Sequence, residues 1–357
     1  MKSATTAHEE AAQAPETARG EKPASRPLHV VAMGGGTGLS TLLRGLRRHV
    51  SAPGESPDPT CAIAELAAVV TVTDDGGSSG RLRQDFNMLP PGDLRNCMVA
   101  LSEEEALLSQ LFTHRFKTGD GLKGHNFGNL FVAALTEITG DFAQAVQLAS
   151  KILATRGRIY PATTANATLV AHMDDGTEVR GETKITASKR RIVELTLDPA
   201  NPAPLPETME AMRRADLITV GPGSLYTSLI TNLLVSGVST ALASSRAVRV
   251  FVCNLMTQAN ESLGLTASEH IERIYDHTRA PIFDYAVVNT AKFSADTLER
   301  YAAEGASPIV ADIERIEKLG VRCIAGEFAS EENVVRHKAG YVADTVLELA
   351  RSRGGIA

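Results

Sequence analysis

Two adjacent carboxylates, Asp74 and Asp75, are the residues of this sequence with the clearest capacity for chemistry. They stand in the stretch TVTDDGGSSGRLRQD, after an apolar segment at 66–73 and before Ser78 and Ser79. Carboxylates among small hydroxyl residues, with an arginine pair nearby, suit a site for sugar hydroxyls, a metal ion or phosphate. If the chain holds a metal, Asp74 or Asp75 is the expected ligand. The sequence Asp-Asp-Gly-Gly is also typical of turns, so a solvated turn without a ligand is the alternative.

A glycine-rich turn at residues 34–38 is the second candidate. It follows an apolar run at 28–33 and precedes leucines that recur with helical spacing. Glycines at such a turn let the backbone approach a ligand, and the helix start offers N–H groups to an anion. The third glycine of a dinucleotide-binding loop is Leu39 here, and the P-loop lysine is absent. A tight turn without ligand is the alternative; the expected contacts are Gly35, Gly36, Thr37 and Gly38.

Polar or glycine residues also follow the other predicted strands. A second strand, glycine turn and helix occur at 216–233, where GPGSLYTSL follows an apolar run, and the predicted strand 249–253 ends in CNLMTQ. PPGDLRN predicts a helix with Asp93 as its N-cap, and GHNFGNL leads into a predicted helix at 129–139. Ligands of open parallel sheets bind beyond the carboxyl ends of the strands, so we expect one shared cleft. The candidate contacts from these segments are Arg95, Asn96, Asn126, Asn129, Gly221, Gly223, Ser224, Asn254 and Thr257.

The alternation of strands and helices predicts an α/β, Rossmann-like fold with a mostly parallel, doubly wound sheet. Residues 27–357 are expected to form one domain. A small antiparallel β insertion is expected at about 157–205, because ATLVAHMDDGTEVRG alternates around an Asp-Gly turn. The alternative is that these strands extend the main sheet. Residues 1–26 lack apolar periodicity and are expected to form a disordered tail.

Composition excludes several classes of function. The 357 residues carry a net charge of −6, aromatic residues make up 4% and there is no Trp, which argues against a nucleic-acid partner. No apolar run reaches the roughly 20 residues of a membrane helix. The four cysteines are far apart and no secretory signal is present, so we expect reduced thiols and a cytoplasmic location.

Six ordered blocks carry a resemblance to one family over about residues 27–345: GGGTGLS, TDDGGSSGRLR, PPGDLRN, GHNFGNL, ADLITVGPGSLYTSL and CNLMTQ. The sequence resembles the YvcK-type gluconeogenesis factors, the UDP-sugar-binding branch of the CofD-like superfamily. The resemblance implies a bacterial cytoplasmic protein that binds UDP-N-acetylglucosamine or a related UDP-sugar. It also implies a role that links carbon metabolism to cell-wall synthesis and cell shape.

The resemblance further implies that a tyrosine and an arginine near the C-terminus contact the nucleotide sugar. The matching positions are Tyr301, in LERYAAEGASPI, and Arg336, in NVVRHKAGYVAD. From the sequence alone, Tyr301 is an aromatic residue late in a helix and Arg336 is a surface charge. Their roles are therefore implied by the resemblance only.

Two classes of function remain open. Enzymatic relatives transfer a phospho-lactyl group, and their first loop reads more like GGVGGA, whereas this chain has GGGTGL. This difference favours a non-catalytic nucleotide-sugar sensor over a transferase of the 2-phospho-L-lactate transferase type. Helix-start N–H groups supply positive charge to a diphosphate, so no cofactor is expected to be required, with Mg²⁺ as the alternative. A regulatory protein partner that binds the insertion is a compatible hypothesis, as is a homo-oligomer.

Overall fold

The computed structural model describes residues 26–52, 61–103, 107–188, 190–259 and 261–354. The predicted tail, residues 1–26, lies outside the described residues except for Arg26. The described strands are β1 (Leu28–Gly34), β2 (Ile63–Val70), β3 (Arg158–Pro161), β4 (Thr168–Met173), β5 (Glu178–Arg180), β6 (Ile192–Asp198), β7 (Leu217–Val220), β8 (Val248–Val252), β9 (Tyr285–Asn289), β10 (Arg322–Gly326), β11 (Ala329–Ser330) and β12 (Arg336–His337).

Helices connect these strands. They are α1 (Gly36–Leu46), α2 (Gly77–Phe86), α3 (Gly92–Leu101), α4 (Leu107–Thr113), α5 (Phe127–Thr139), α6 (Phe142–Ile152), α7 (Glu182–Ala187), α8 (Pro206–Arg214), α9 (Thr231–Leu233), α10 (Val238–Ser244), α11 (Ala267–Thr278), α12 (Ala295–Ala303), α13 (Ile313–Lys318) and α14 (Ala339–Gly354). A 3₁₀ turn (Arg47–His49) follows α1, and a π-helical segment (Leu225–Ile230) precedes α9. The helix predicted after the second glycine turn is therefore π-helical in its first part.

The central sheet has seven strands in the order β10-β9-β8-β7-β1-β2-β3, and every neighbouring pair is parallel. The chain builds outward from β1 to β3 on one side, and then returns to the other side of β1 with β7. The prediction of a doubly wound, Rossmann-like α/β sheet is confirmed. The strand order reverses between β1 and β7, which is where such sheets bind ligands.

Both faces of the sheet are buried, as the apolar sequence of β1 requires. Val30 and Ala32 belong to the hydrophobic core that includes the leucines of α1 and the apolar side of α14. Val31 and Met33 belong to the core on the opposite face, together with residues of the π-helical segment and α11. Alternate residues of a strand point to opposite faces, so β1 anchors both layers of helices and holds the turn that follows it rigidly.

The predicted small antiparallel sheet is present and is separate from the main sheet. Its strands lie in the order β5-β4-β6 and span residues 168–198, whereas β3 pairs with β2 as an edge of the main sheet. Leu169, Ala171 and Leu195 pack into the core that also contains Val31. In the described part of the chain, no single helix is long and apolar enough to cross a membrane, although the bent pair Leu225–Leu233 and Val238–Ser244 passes that test by length and composition.

Candidate functional site

The two glycine turns meet at the switch point of the sheet and form one cleft. They follow β1 and β7, which pair up to Met33 and Val220. A Cβ atom on Gly38 would lie 2.6 Å from the carbonyl oxygen of Pro222, so this close contact requires a glycine. The cleft has a volume of about 270 Å³ and is lined by Gly35, Gly36, Thr37, Gly38, Pro222, Gly223, Ser224, Ser228, Asn254, Leu255, Met256, Thr257, Gln258, Tyr301, Val335 and His337.

The start of α1 presents backbone N–H groups to this cleft. Gly35 is the N-cap residue and its position carries no side-chain cap. Thr37 and Gly38, in the first turn of α1, have no carbonyl partner for their N–H groups within the helix. Thr37 is exposed, which leaves this end of the helix open. An anion that enters the cleft would meet these N–H groups and the positive end of the helix dipole.

Asp93 caps α1 from a different part of the chain. Its Oδ2 atom accepts a hydrogen bond of 2.8 Å from the N–H of Gly36. The prediction that Asp93 is the N-cap of its own helix is wrong, because Pro91 holds that position and Asp93 lies in the first turn of α3. Burial raises the pKa of Asp93 to about 6, an effect that the N–H of Gly36 opposes and the charge of Asp74 reinforces. No sequence signal pointed to this contact, because its partners are 57 residues apart.

The second glycine turn is held by Asn254. Its Oδ1 atom accepts from the N–H of Gly223 at 3.1 Å, and its Nδ2 group donates to the carbonyl of Gly223 at 2.7 Å. Ser224 does not cap the helix that it precedes; its hydroxyl oxygen accepts from Nε2 of Gln258 at 3.0 Å. Asn254 therefore fixes the turn, and Ser224 and Gln258 close one end of the cleft.

A buried carboxylate also occupies the second helix start. Glu261 accepts hydrogen bonds from the N–H of Tyr226 at 3.4 Å and from the hydroxyl of Thr227 at 3.1 Å. Burial raises the pKa of Glu261, against the effect of these hydrogen bonds. Glu261 was not identified from the sequence. Both helix starts therefore hold a buried carboxylate, and the start of α1 is the more open of the two because Thr37 is exposed whereas residues 225–230 are buried.

The far wall of the cleft is apolar and includes Tyr301. The phenol oxygen of Tyr301 accepts from the N–H of Val335 at 3.0 Å, and its ring packs with Leu255 and Met256. Beside it, burial lowers the pKa of His337 to about 4, so the imidazole is neutral at pH 7. The Nε2 atom of His337 lies 3.0 Å from the carbonyl oxygen of Cys253, a contact in which the nitrogen donates.

Arg336 is exposed and is not among the residues that line the cleft. It precedes His337 in β12, and consecutive residues of a strand point to opposite faces. The described contact of Arg336 within this hairpin is made by its carbonyl oxygen, which accepts from the hydroxyl of Ser330.

A second cavity, which we call the Arg95 chamber, lies on the other side of Asp93. It has a volume of about 240 Å³ and is lined by Asp74, Gly76, Gly77, Ser78, Ser79, Gly92, Asp93, Arg95, Asn96, Arg115 and Asn129. The structure therefore brings together Asp74, both serines, Arg95, Asn96 and Asn129, but in a chamber beside the glycine cleft. Arg115 was not identified from the sequence.

Besides Arg336, three predicted site residues line neither cavity. Asp75 faces the insertion, where its Oδ1 atom accepts from the N–H of Thr183 at 2.8 Å and from the Thr183 hydroxyl. Asn126 is the N-cap of α5 and accepts from the N–H of Asn129 at 3.2 Å. Gly221 adopts φ +89° behind the second turn. These contacts give all three residues a structural role.

The described residues contain no group of three or more His, Cys, Asp or Glu side chains placed to hold a metal ion. Carboxylates nevertheless approach each other beside Asp74. Burial, with the charges of Asp74 and Asp93, raises the pKa of Glu182 well above its ordinary value. Mg²⁺ in nucleotide sites is usually held by one or two carboxylates together with phosphate oxygens. Asp74 is the carboxylate at this edge that could take part in such a shared site.

Comparison with known proteins identifies the family. The family model described as 2-phospho-L-lactate transferase CofD matches residues 30–329. The chain belongs to the CofD family.

Within the CofD family, the chain is most usefully compared with proteins named gluconeogenesis factor. It is 46% identical to the one from Halalkalibacterium halodurans, over 90% of this chain and 96% of that protein. It is 41% identical to the one from Bacillus subtilis, over 93% and 99% respectively. A crystal structure of a UPF0052 family member from Bacillus halodurans superposes with a TM-score of 0.85 at 45% identity, covering 90% of this chain and all of that one. The resemblance predicted from the sequence blocks is confirmed.

Proposed function

We propose that this CofD-family protein binds a UDP-sugar, UDP-N-acetylglucosamine first among them, and acts as a regulatory gluconeogenesis factor. The observation that carries the proposal is the cleft between two glycine turns at the switch point, with the open start of α1 on its floor. The diphosphate would lie over Thr37 and Gly38, where N–H groups and the helix dipole attract negative charge.

The apolar wall of the cleft is the proposed binding surface for the base of the nucleotide. Tyr301, Leu255 and Met256 form one packed surface at the cleft. Such a surface suits the flat face of a pyrimidine ring. Backbone groups near Val335 could form hydrogen bonds with the edge of that ring. The choice of uridine and of N-acetylglucosamine comes from the resemblance to the gluconeogenesis factors. A role in cell-wall synthesis and cell shape, and a cytoplasmic location, belong to the same proposal.

Titration calorimetry with UDP-N-acetylglucosamine tests the proposal. We expect wild-type protein to bind, Tyr301→Ala to bind at least tenfold more weakly, and Tyr301→Phe to be intermediate, because it keeps the ring and loses only the acceptor for Val335. Saturating ligand should also stabilise the fold, by about 2.7 kcal/mol at a concentration one hundred times Kd. Absence of both heat and thermal stabilisation would reject the proposal.

Arg336 needs a separate test, because its side chain points away from the cleft lining. Arg336→Ala should weaken binding only if the arginine swings over the bound sugar. Arg322→Ala is the matched control, since Arg322 is an exposed arginine on β10 that stacks on Tyr285. Equal affinities for the wild type and both variants would remove Arg336 from the site while leaving the Tyr301 result intact.

A transferase is the second candidate, favoured by the Arg95 chamber next to the glycine cleft. A reaction between ligands in the two cavities would use Asp74 to hold Mg²⁺ on the phosphate oxygens. Incubation with UDP-N-acetylglucosamine, Mg²⁺ and small hydroxylated acceptors, followed by product analysis, separates the two candidates. Turnover that Asp74→Asn abolishes would replace the sensor by an enzyme.

A protein partner would complete a regulatory role. The separate antiparallel sheet, β4 to β6, is the proposed partner surface, and a homo-oligomer is the other form of association we propose. Val193→Glu, which changes an exposed apolar side chain of β6, should weaken partner binding and leave UDP-sugar affinity unchanged. Loss of both would indicate misfolding or a shared site.

A further inference from the structure

The Arg95 chamber contains buried polar atoms that have no partner. Asn129 is only 3% exposed, and its Oδ1 atom makes no hydrogen bond. The Nε atom of Arg95 is likewise buried without an acceptor. Buried polar groups are almost always satisfied in native proteins, so two such atoms on residues that line one cavity point to an occupant. Asn129 lacks a donor and Arg95 lacks an acceptor, so the occupant must supply both.

The chamber also holds two arginines without an acid partner. Among the described residues, no carboxylate lies within ion-pair distance of the guanidinium group of Arg95 or Arg115. Nη2 of Arg95 donates to Oδ1 of Asn96 at 2.6 Å, and Nη1 of Arg115 donates to the carbonyl of Gly124 at 2.7 Å. Burial and the positive charge of Arg115 lower the pKa of Arg95, against the effect of the negative charges of Asp93 and Asp74. Two adjacent cations with spare N–H groups favour an anion.

The acidic and the basic residues of the Arg95 chamber lie at different ends of it. A Cβ on Gly92 would lie 3.3 Å from a carboxylate oxygen of Asp74, and one on Gly35 would lie 2.8 Å from a carboxylate oxygen of Asp93. Asp93 therefore borders the glycine cleft, and Asp74 lies beside Gly92 at the start of α3. Arg95 instead packs against Gly128 in α5, where a Cβ would lie 2.8 Å from its Cδ atom. One end thus offers acceptors to hydroxyl groups, and the other offers donors to an acid group.

We propose that the Arg95 chamber binds a second ligand, a small hydroxylated anion whose carboxylate or phosphate group contacts Arg95 and Arg115. Its hydroxyl groups donate to Oδ1 of Asn129 and to the carboxylates of Asp74 and Asp93. A cavity of about 240 Å³ accommodates a molecule with a three-carbon skeleton. This ligand is additional to the nucleotide sugar, and it binds while the glycine cleft is occupied.

A matched set of small molecules tests the chemistry. Glycerate and glycerol 1-phosphate carry both the hydroxyl groups and the anion, whereas glycerol lacks the anion and propionate lacks the hydroxyls. Titration calorimetry on the full chain should show binding of glycerate or glycerol 1-phosphate, with glycerol and propionate at least tenfold weaker. The stronger of the two anions identifies carboxylate or phosphate as the recognised group. Absence of binding by both anions at millimolar concentration would overturn the proposal.

Two arginine variants test the location. Arg115→Gln should weaken binding of the anion about tenfold, the usual cost of losing one charge-assisted contact. Arg81→Gln is the control, because Arg81 donates in the same way to a carbonyl of the same loop, that of Lys123 at 3.0 Å, and does not line the chamber. Arg115 is exposed, so its replacement leaves the core unchanged. Equal effects of the two variants, or none, would overturn the proposal.

Asn129→Asp tests the charge of the occupant beside Asn129, since it keeps the shape and the Oδ1 acceptor and adds a negative charge next to the anion. It should weaken anion binding more than tenfold, and thermal unfolding without ligand reports whether the fold is retained. Repeating the anion titrations in the presence of saturating UDP-N-acetylglucosamine tests whether the anion and the nucleotide sugar bind at separate sites. Displacement of the anion by the nucleotide sugar would overturn the proposal and assign the chamber to the nucleotide-sugar site. If the nucleotide sugar does not bind, the anion titrations still show whether the Arg95 chamber binds an anion. The failure of one proposal can therefore be distinguished from the failure of the other.

Discussion

At the scale of single residues, Asp93 connects the two cavities and is the group whose protonation should be visible in solution. Burial raises its pKa to about 6, from an ordinary value of 3.8 that applies to the unfolded chain. As the pH rises from 4 to 7, the unfolded chain therefore loses this proton at a lower pH than the folded protein does. The free energy of unfolding should fall over this range, by about 3 kcal/mol from Asp93 alone.

Asp93→Asn removes this titration and keeps an oxygen that can accept from the N–H of Gly36. We expect the variant to gain stability relative to the wild type as the pH rises from 4 to 7, by about 2–3 kcal/mol in total. Urea unfolding of both proteins at several pH values measures the difference. A stability difference that is the same at every pH would contradict the assignment.

At the scale of elements, the contact between the two glycine turns holds β1 and β7 together at the cleft. Gly38→Ala would place a Cβ atom against the backbone of Pro222, at 2.6 Å, so the turns must separate. We expect a loss of about 1–3 kcal/mol in unfolding free energy and a loss of UDP-sugar binding. Gly340→Ala in α14 is the control, because its nearest contact is the flexible side chain of Arg48 at 3.2 Å and alanine favours a helix. Equal destabilisation by Gly38→Ala and Gly340→Ala would show that the close contact between Gly38 and Pro222 does not contribute to stability.

Asp75 joins the acidic loop to the insertion. Its carboxylate accepts from the N–H and hydroxyl of Thr183 in the first turn of α7. Asp75→Ala should destabilise α7 by about 1 kcal/mol, as loss of a capping acceptor does, while Asp75→Asn retains an acceptor and should cost less. Hydrogen exchange of residues 182–187 measures the local effect. A large loss of UDP-sugar affinity in Asp75→Asn would return this residue to the binding site.

At the scale of the whole molecule, a stabilising ion pair lies at the end of the parallel strands opposite to the ligand cleft. Arg249, at the start of β8, pairs with Asp284, just before β9, through bonds of 3.0 Å and 2.8 Å. Both side chains are largely buried, 16% and 19% exposed. Asp284→Ala leaves the arginine without its partner and should cost about 3 kcal/mol in unfolding free energy.

The ligand cleft lies at the other end of these strands, so Asp284→Ala should leave UDP-sugar and anion affinities unchanged at a temperature where the protein is folded. Glu210→Ala, which breaks the exposed pair with Arg213, is the control and should not measurably change stability. Thermal unfolding and calorimetry on the same samples check both parts. Reduced affinity in folded Asp284→Ala would indicate coupling across the sheet.

The sequence by itself determined strands β1, β2, β7 and β8, the two glycine turns and the end of the sheet at which these turns meet. These features follow from local patterns: apolar runs that a parallel sheet buries on both faces, and glycines where a strand passes into a helix. The turn in the hairpin of β4 and β5 was predictable for the same reason, since Asp175 and Gly176 favour it locally. Most candidate site residues were found because they follow such strands.

Only the tertiary structure decided which of these residues share a cavity. Asp93 was expected to cap its own helix, but packing of α3 against α1 places its carboxylate on Gly36. Asp75 was expected beside Asp74 in the site, but the insertion takes up its carboxylate. Arg115 reaches the Arg95 chamber, and Glu261 reaches the second helix start, from loops with no periodic pattern. Side-chain direction and contacts between distant segments depend on packing, and a pattern along the chain carries no information about either.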